Sequence, residues 1–301
     1  MLKEWLESLF VQTASRSARW LGYARETAAL QFRHRRLLKD WAPHICASQS
    51  ALLAGAYAHA DERGVAVVIG AGVMEDISLT DLLAYFGELW LVDIAFSRHT
   101  LEQARRIGGA RVRCILQDVT GVVDRVTRTT KAPADDQIPV VLPLPVPGNL
   151  AWIASVNCLT QLPLLPVAWL LRHGEDEAQV ERFGRSLIQA HLSQLKAANV
   201  PVCLITEMED RRYVSNRKMR DSTDYRSLLL PFLERVAAVC QSSWEWQTHP
   251  PGELPGGEWE IRLVSAWNWG GRVKRNNFAR CDLPVSLLTG VLRPNRYTLS
   301  L

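Results

Sequence analysis

The chain has 301 residues, of which 48% are hydrophobic and 22% charged, so a packed globular core is expected. Its net charge of +4, from 35 basic and 31 acidic residues, is too balanced to indicate a nucleic acid as the partner. Glu4 and Glu7 interrupt the N-terminal apolar stretch, and no apolar run reaches the roughly 18 residues of a membrane span, which argues against a secretory signal and against integral membrane association.

The first 62 residues are predicted to be helical throughout, because apolar side chains recur at helical spacing and no Gly-Pro punctuation comes before Pro43. The first helix is amphipathic, with Trp5, Leu6, Leu9 and Phe10 as its apolar residues. We expect it to dock on the rest of the chain or on a second subunit, as in a homodimer formed through the N-terminal helices, rather than on a membrane surface.

The densest basic patch, "FRHRRLLK" from Phe32 to Lys39, lies within this helical region. The ordinary interpretation of such a charge run is a solvated helix face. The alternative interpretation is an RNA-binding surface, which a strong salt dependence of RNA binding would reveal.

After residue 62, short β-branched runs alternate with helical stretches. Strands are predicted in "VAVVIG", "ELWLVDI", "ARVRCILQ", "AWIASVN" and "VPVCLITEM", and helices in "LTDLLAYFG", "HTLEQARRIGG", residues 176–199 and "YRSLLLPFLERVAAVC". This order with short links implies a parallel, doubly wound sheet. "WEWQTH" and "WEIRLVSAWNW" flank a Pro/Gly turn and predict a β-hairpin. The expected domains are a helical cap (1–62), the main α/β domain (63–269) and a C-terminal appendage (270–301), with an irregular proline-punctuated loop from Arg125 to Gly148.

The six cysteines are widely scattered. Their spacing contains no C-x-x-C and no paired histidine motif, which argues against a zinc or other metal site and against a disulfide framework. A reducing cytoplasm fits this pattern best. They are Cys46, Cys114, Cys158, Cys203, Cys240 and Cys281.

A glycine turn follows the first predicted strand. Gly70 and Gly72 occupy it, where small residues let the backbone approach a ligand at a helix N-terminus. Asp93 ends the second strand about 20 residues later, where an acid can accept hydrogen bonds from both hydroxyls of a ribose. Asp118, after the third strand, can accept one from an adenine amino group. The structural alternative for Asp93 is a helix cap or loop aspartate.

The residues after this turn distinguish two classes of cofactor. A dinucleotide needs its pyrophosphate seated at the helix, and Glu75 would place negative charge there. S-adenosylmethionine has no phosphate, and its amino group and sulfonium are cationic, so an acidic edge is compatible with it.

Here the sequence resembles a known family. The segments "VVIGAG", "LWLVDI", "LQDVTG" and the terminal hairpin resemble a class I S-adenosylmethionine-dependent methyltransferase from Val65 to Trp269. The longer string "GAGVMEDISL…LVDIAF…QDVTG…SVNCLTQLP" is similar to bacterial methyltransferase-like proteins of unassigned substrate. The resemblance implies a Rossmann-like methyltransferase fold: an α/β, doubly wound, mostly parallel seven-stranded sheet with a C-terminal antiparallel hairpin and an N-terminal helical cap. The absence of a third glycine in the turn departs from the common pattern.

The resemblance also implies S-adenosylmethionine as the cofactor. Gly70 and Gly72 would frame its methionine and ribose, Asp93 would hold the ribose hydroxyls and Asp118 would meet the adenine. The expected cofactor-binding residues are Gly70, Ala71, Gly72, Asp93, Ile94, Asp118, Val119 and Asn157.

The candidate catalytic residues are Asn157, Glu207, His191 and His44. Asn157 follows the fourth strand, but the Pro-Pro that base-methylating enzymes have at this place is absent, which argues against base methylation. The Asn157 side chain could equally tie its loop to the sheet. Glu207 ends the fifth strand at the edge where ligands bind in such sheets. His191 is expected to be a buried structural histidine rather than a catalytic one, and His44 follows a predicted helix break at Pro43.

The sequence thus favours methyl transfer from S-adenosylmethionine to a small or medium-sized acceptor. The alternatives are a methyltransferase-like binding or scaffold protein without catalysis, and an RNA methyltransferase that uses the basic helix.

Overall fold

Four helices precede the main sheet. The computed structural model describes residues 2–143, 148–214 and 218–270. The four helices are α1 (Leu2–Phe10), α2 (Arg16–Leu21), α3 (Tyr23–Arg36) and α4 (Leu38–Tyr57). Gly22, in the left-handed region at φ 107°, turns the chain from α2 into α3. The predicted break at Pro43 is wrong, because α4 runs through it, and the chain bends instead at Leu37.

The sheet has a parallel core because its first strands are buried on both faces. Val65 to Ile69 are at most 2% exposed, as a β-branched run predicts. Five strands form this core in the spatial order β5-β3-β2-β6-β7. They are β2 (Asp61–Ile69), β3 (Phe86–Asp93), β5 (Val112–Leu116), β6 (Leu150–Val156) and β7 (Val202–Tyr213). A two-stranded ribbon, β1 (Gln12–Thr13) with β4 (Ala95–Phe96), ties the N-terminal helices to the end of β3.

Helices connect the strands and cover the sheet. They are α5 (Leu79–Leu82), α6 (Arg98–Gly108), α7 (Val123–Thr129), α8 (Leu164–Arg172), α9 (Glu177–Ala197) and α10 (Arg226–Arg235). Short 3₁₀ turns lie at Gly109–Arg111, Asp135–Gln137, Leu159–Gln161 and Pro255–Gly257. The residues described here contain no helix whose length and apolarity would let it cross a bilayer.

The C-terminal hairpin completes the sheet. It consists of β9 (Val239–His249) and β10 (Trp259–Trp269), and β10 lies antiparallel between β7 and β9. The predicted fold class is therefore confirmed: a doubly wound, mostly parallel sheet with a C-terminal antiparallel hairpin and N-terminal helices. An eighth strand, β8 (Met219–Asp224), pairs with the distal half of β7 beside this seven-strand path.

Three predicted element boundaries are wrong. The helix expected to close at Gly87 is only the four-residue α5, because Phe86 and Gly87 already belong to β3. The helix expected to reach Cys240 ends at Arg235, and the chain pairs into β9 from Val239. The helical region is also interrupted, at β1 and at the Gly22 turn. The expected appendage lies outside the described residues, apart from Gly270, and the division into three domains stays a prediction.

Candidate functional site

A cavity of about 390 Å³ lies at the carboxyl ends of β2, β3 and β6. That edge is where open α/β sheets bind ligands. Side chains of α3, α4 and the C-terminal hairpin complete its walls. Seven of the eight expected cofactor-binding residues line this one cavity: Gly70, Gly72, Asp93, Ile94, Asp118, Val119 and Asn157. The eighth, Ala71, is fully buried.

The glycine turn is shaped by the strands beside it. Gly70 has φ 86°, and a Cβ there would lie 2.4 Å from the carbonyl oxygen of Val156. A Cβ on Gly72 would lie 2.8 Å from the carbonyl oxygen of Ala95 and 3.0 Å from the Asp93 carboxyl carbon. Both glycines are thus required by the packing of the turn itself, whereas the sequence suggested that they make room for a ligand.

The Asp93 carboxylate is held beside this turn. Its Oδ2 accepts a hydrogen bond from the Gly72 N–H at 2.8 Å, and its Oδ1 accepts one from the Ala95 N–H at 3.2 Å. Burial raises the pKa of Asp93 to about 6, although these backbone donors act in the opposite direction. A ligand that donates hydroxyl hydrogen bonds to this carboxylate would stabilise its ionised form.

Asp118 has a structural role in addition to its place on the cavity wall. Its carboxylate accepts hydrogen bonds from the Thr120 N–H and hydroxyl at 2.9 and 2.5 Å and from the Val123 N–H at 2.9 Å. It therefore satisfies the N-terminal end of α7. Burial raises the pKa of Asp118, and burial together with the charges of Asp118 and Asp93 raises the pKa of Tyr23 on the same wall.

Asn157 is strained and incompletely paired. It follows β6 with φ 48°, a left-handed conformation that costs a non-glycine residue on the order of 1 kcal/mol. Its Nδ2 donates to Asp76 Oδ2 at 2.9 Å and lies 3.2 Å from His44 Nε2. Its Oδ1 is buried with no hydrogen-bond partner among the described residues. A buried acceptor of this kind on a cavity wall suits a ligand that donates a hydrogen bond.

His44 forms a fully partnered pair with Asp76. The residue is 1% exposed, and its ring stacks on Trp246 with the ring centroids 3.9 Å apart. Its Nδ1 accepts a hydrogen bond from Trp244 Nε1–H at 2.9 Å, so we assign the ring proton to Nε2, which lies 3.5 Å from Asp76 Oδ1. Burial alone would raise the pKa of Asp76, but the hydrogen bonds from His44 and Asn157 outweigh it and lower that pKa.

His34 forms a second histidine–carboxylate pair, with Glu75. Its Nδ1 lies 3.3 Å from Glu75 Oε1, whereas its Nε2 is buried with no hydrogen-bond partner in the part of the chain that the structure describes. Gln49 Nε2 donates to the Glu75 carbonyl oxygen at 2.9 Å. The segment after the glycine turn is thus tied to both α3 and α4.

Three tryptophans surround these histidines: Trp41, Trp244 and Trp246. Trp41 packs edge-on against Trp246 at 5.2 Å between ring centroids, and its Nε1 donates to the Thr248 carbonyl oxygen at 3.3 Å. We call Trp41, Trp246 and His44 the aromatic wall. The Arg262 guanidinium lies over the Trp246 ring, 5.7 Å from its centroid.

Two of the candidate catalytic residues lie away from the cavity. His191 Nε2 is 3.0 Å from the Ser155 hydroxyl and Nδ1 is 3.0 Å from Gln194 Oε1, and burial lowers its pKa to about 4. This geometry favours the structural interpretation of His191. Glu207 is 1% exposed, pairs with Arg262 at 3.0 Å and accepts from the Thr160 hydroxyl at 2.6 Å. It acts on the cavity through Arg262, which it pairs with and which lines the cavity wall.

Sequence reasoning did not select several residues that the cavity brings together. His34 lies within the basic run from Phe32 to Lys39, and no sequence motif indicates a role in the site for Trp41 or Trp246. The sequence did contain one indication that part of this group lies together. Residues spaced by four, three and four positions share one face of a helix. The residues with that spacing on α3 all line the cavity: Tyr23, Thr27, Leu30 and His34.

No protein-family model matches the chain, and no curated protein matches it in sequence. Its fold is similar to that of several solved structures. The N-methyltransferase NodS from Bradyrhizobium japonicum WM9 shares 10% identity, with a TM-score of 0.35 over 74% of this chain and 94% of NodS, and NodS has also been solved with S-adenosyl-L-homocysteine. The YcgJ protein from Bacillus subtilis shares 11% identity, with a TM-score of 0.38 over 74% of this chain and 98% of YcgJ. An rRNA methylase from Streptococcus thermophilus shares 10% identity, with a TM-score of 0.30 over 70% of this chain and 92% of the methylase. At these identities and TM-scores the likeness does not bear on ligand or substrate.

Proposed function

We propose that this protein is an S-adenosylmethionine-dependent methyltransferase that acts on a small or medium-sized acceptor. The observation that carries the proposal is the chemistry of one cavity at the carboxyl edge of the sheet. Its walls contain the glycine turn, a carboxylate that can accept hydrogen bonds from hydroxyl groups, and oxygen acceptors that can bind a cation.

The oxygen atoms around the cavity fit this cofactor. Asp93 would accept the ribose hydroxyls, and the unpartnered Asn157 Oδ1 would accept a hydrogen bond from the cofactor's ammonium group. Glu75 and Asp76 lie on the same wall. Carboxylates there favour an ammonium or sulfonium and disfavour a pyrophosphate, which supports S-adenosylmethionine over a dinucleotide.

The walls of the cavity support a small acceptor. When bound, S-adenosylmethionine supplies a methyl group that transfers by direct displacement. What this chain adds is position and exclusion of water, because α3, α4 and the aromatic wall stand over the edge of the sheet. Arg36 of the basic run is paired with Glu253, and Arg33 and His34 line the cavity. Two arginines of this run are therefore used within the chain, which disfavours the RNA-binding alternative.

The Asp93 carboxylate gives the proposal a direct test. With its pKa near 6, Asp93 must lose a proton before it accepts both hydroxyl hydrogen bonds, so S-adenosylmethionine should bind about tenfold more tightly at pH 7 than at pH 5. Asp93→Asn keeps an acceptor for the Gly72 N–H but removes the charge. It should weaken binding at pH 7 by about 1.5–3 kcal/mol and flatten the pH dependence. Isothermal titration calorimetry on both proteins measures this, and equal affinities would show that the ligand lies elsewhere.

Two further measurements separate this function from its alternatives. S-adenosylmethionine and its demethylated product should raise the Tm, whereas NAD and NADP should not. Incubation with labelled S-adenosylmethionine and a cell lysate should place label in the small-molecule fraction. Label in RNA would favour the RNA methyltransferase, and binding without any transfer would favour the scaffold protein.

A further inference from the structure

The His34–Glu75 pair has a geometry that the His44–Asp76 pair lacks. His34 Nδ1 faces the Glu75 carboxylate at 3.3 Å. A carboxylate accepts hydrogen bonds, so we assign the proton of the neutral ring to Nδ1, which leaves a lone pair on Nε2. Nε2 has no hydrogen-bond partner among the described residues, although His34 is only 8% exposed and lines the cavity.

Four other titratable groups on the cavity wall are less suited to accept a proton. His44 already accepts a hydrogen bond at Nδ1 and directs Nε2 toward Asp76. Burial raises the pKa of the Cys158 thiol to about 12, and burial raises the pKa of the Tyr23 hydroxyl, so both stay protonated near neutral pH. Asp76 is occupied by His44 and Asn157.

We propose that His34 Nε2 is the general base for the methyl acceptor and that Glu75 positions it. This inference rests on the proposed function and names the class of acceptor, one whose reacting oxygen or nitrogen begins protonated, such as an acidic hydroxyl or an ammonium. Leu30, Trp41 and Ile45 also line the cavity, so the body of the acceptor is expected to be apolar. The His34 and Trp41 ring centroids are 6.2 Å apart.

The proposed step is balanced in atoms and charge. The acceptor's O–H or N–H bond breaks, its proton passes to His34 Nε2, and the released electron pair forms the new bond to the methyl carbon. The carbon–sulfur bond of the donor breaks with its electron pair remaining on sulfur, which neutralises the sulfonium. The imidazolium that forms on His34 is stabilised by the Glu75 carboxylate until its proton passes to water.

The first test measures the ring proton without any cofactor. Nitrogen-15 NMR of the histidine side chains should show opposite tautomers, with the proton on Nδ1 in His34 and on Nε2 in His44. His34→Asn and His44→Asn assign the signals. Glu75→Ala should move His34 toward the Nε2–H tautomer, whereas Glu75→Gln, which retains an acceptor oxygen, should preserve the Nδ1–H form. A wild-type His34 protonated on Nε2 would overturn the inference, whatever the protein binds.

The second test measures chemistry and binding separately. His34→Asn keeps a donor toward Glu75 but has no basic nitrogen, so methyl transfer to the small-molecule fraction of a lysate should fall 10²–10⁴-fold. The affinity for S-adenosylmethionine should change less than twofold. Added imidazole should restore part of the activity of His34→Ala, because the smaller side chain leaves room for it.

Two outcomes of this second test have distinct meanings. Full turnover by His34→Asn would overturn the general-base role while leaving the methyltransferase proposal intact. A wild-type protein that binds no S-adenosylmethionine would overturn the proposed function, while the tautomer measurement would still report whether Glu75 positions His34.

Discussion

Two histidine–carboxylate pairs flank the same segment after the glycine turn, yet they differ in how completely they are satisfied. His44 is stacked, donates to one carboxylate and accepts from an indole, so both ring nitrogens are occupied. His34 lines the cavity, contacts Glu75 with one ring nitrogen and leaves the other without a hydrogen-bond partner among the described residues. A saturated histidine holds structure in place, whereas one with a free lone pair can take part in proton transfer. Proximity to the cavity alone does not distinguish them.

The largest expected difference between the pairs is in stability. His44→Ala removes a buried stacked ring and leaves the Trp244 donor and the Asp76 acceptor without their partner, so unfolding free energy should fall by about 3 kcal/mol. His34→Ala removes one contact with the Glu75 carboxylate and should cost about 1 kcal/mol. Urea unfolding of both variants measures the contrast. His44→Phe, which keeps the ring, should recover part of the loss, and equal costs at the two positions would remove the distinction between them.

A smaller effect should follow from the indole that fixes the His44 tautomer. Trp244→Phe removes the donor to Nδ1, so His44 should become a mixture of tautomers and stability should fall by about 1–2 kcal/mol. Trp246→Phe is the matched control, because the Trp246 Nε1 has no hydrogen-bond partner among the residues described. Nitrogen-15 NMR should show an unchanged His44 tautomer in that control. The same tautomer in both variants would mean that Trp244 does not set it.

The smallest expected effect is the dependence of stability on pH through Asp76. Because the folded pKa of Asp76 lies below its ordinary value near 3.8, its contribution to stability is present above that value and is lost as the pH falls through the folded pKa. Asp76→Asn should therefore be about 1 kcal/mol less stable than wild type at pH 7, and the difference should shrink as the pH falls below 4. Denaturant titrations at pH 7 and pH 3 measure this, with Asp136→Asn, at an exposed position, as the control. A difference that persists unchanged at pH 3 would exclude the ionised carboxylate as its source.

Local sequence patterns predicted most of the strands and helices and their order along the chain. The β-branched run from Val65 to Ile69 indicated a strand buried on both faces, and the apolar and turn residues around it indicated the order of strands and helices. The α5 helix was predicted too long because its sequence is compatible with a helix, but Phe86 pairs with Asp61 of β2 and Gly87 continues the same strand. The local helix propensity of this segment is overridden by pairing with a strand that lies elsewhere in the sequence.

The same limit explains the candidate site. Asp93 could be selected because its distance from the glycine turn reflects one strand-helix-strand unit. His34 could not be separated from its arginine neighbours, because only the fold shows that it faces the sheet edge. Trp244 and Trp246 could not be selected, since nothing near them in sequence indicates that one donates to His44 and the other stacks on it.

The hydrogen bond between Trp244 and His44 joins residues 200 positions apart. A ribosome makes His44 early and the hairpin near the end of the chain, and at about 5–20 residues per second the interval is on the order of ten seconds or more. During that time α4 and the parallel strands can form, but the aromatic wall cannot. The nascent chain therefore exposes the face of α4 that later meets the hairpin, and the cavity acquires its final shape only after nearly all of the described residues have been synthesised.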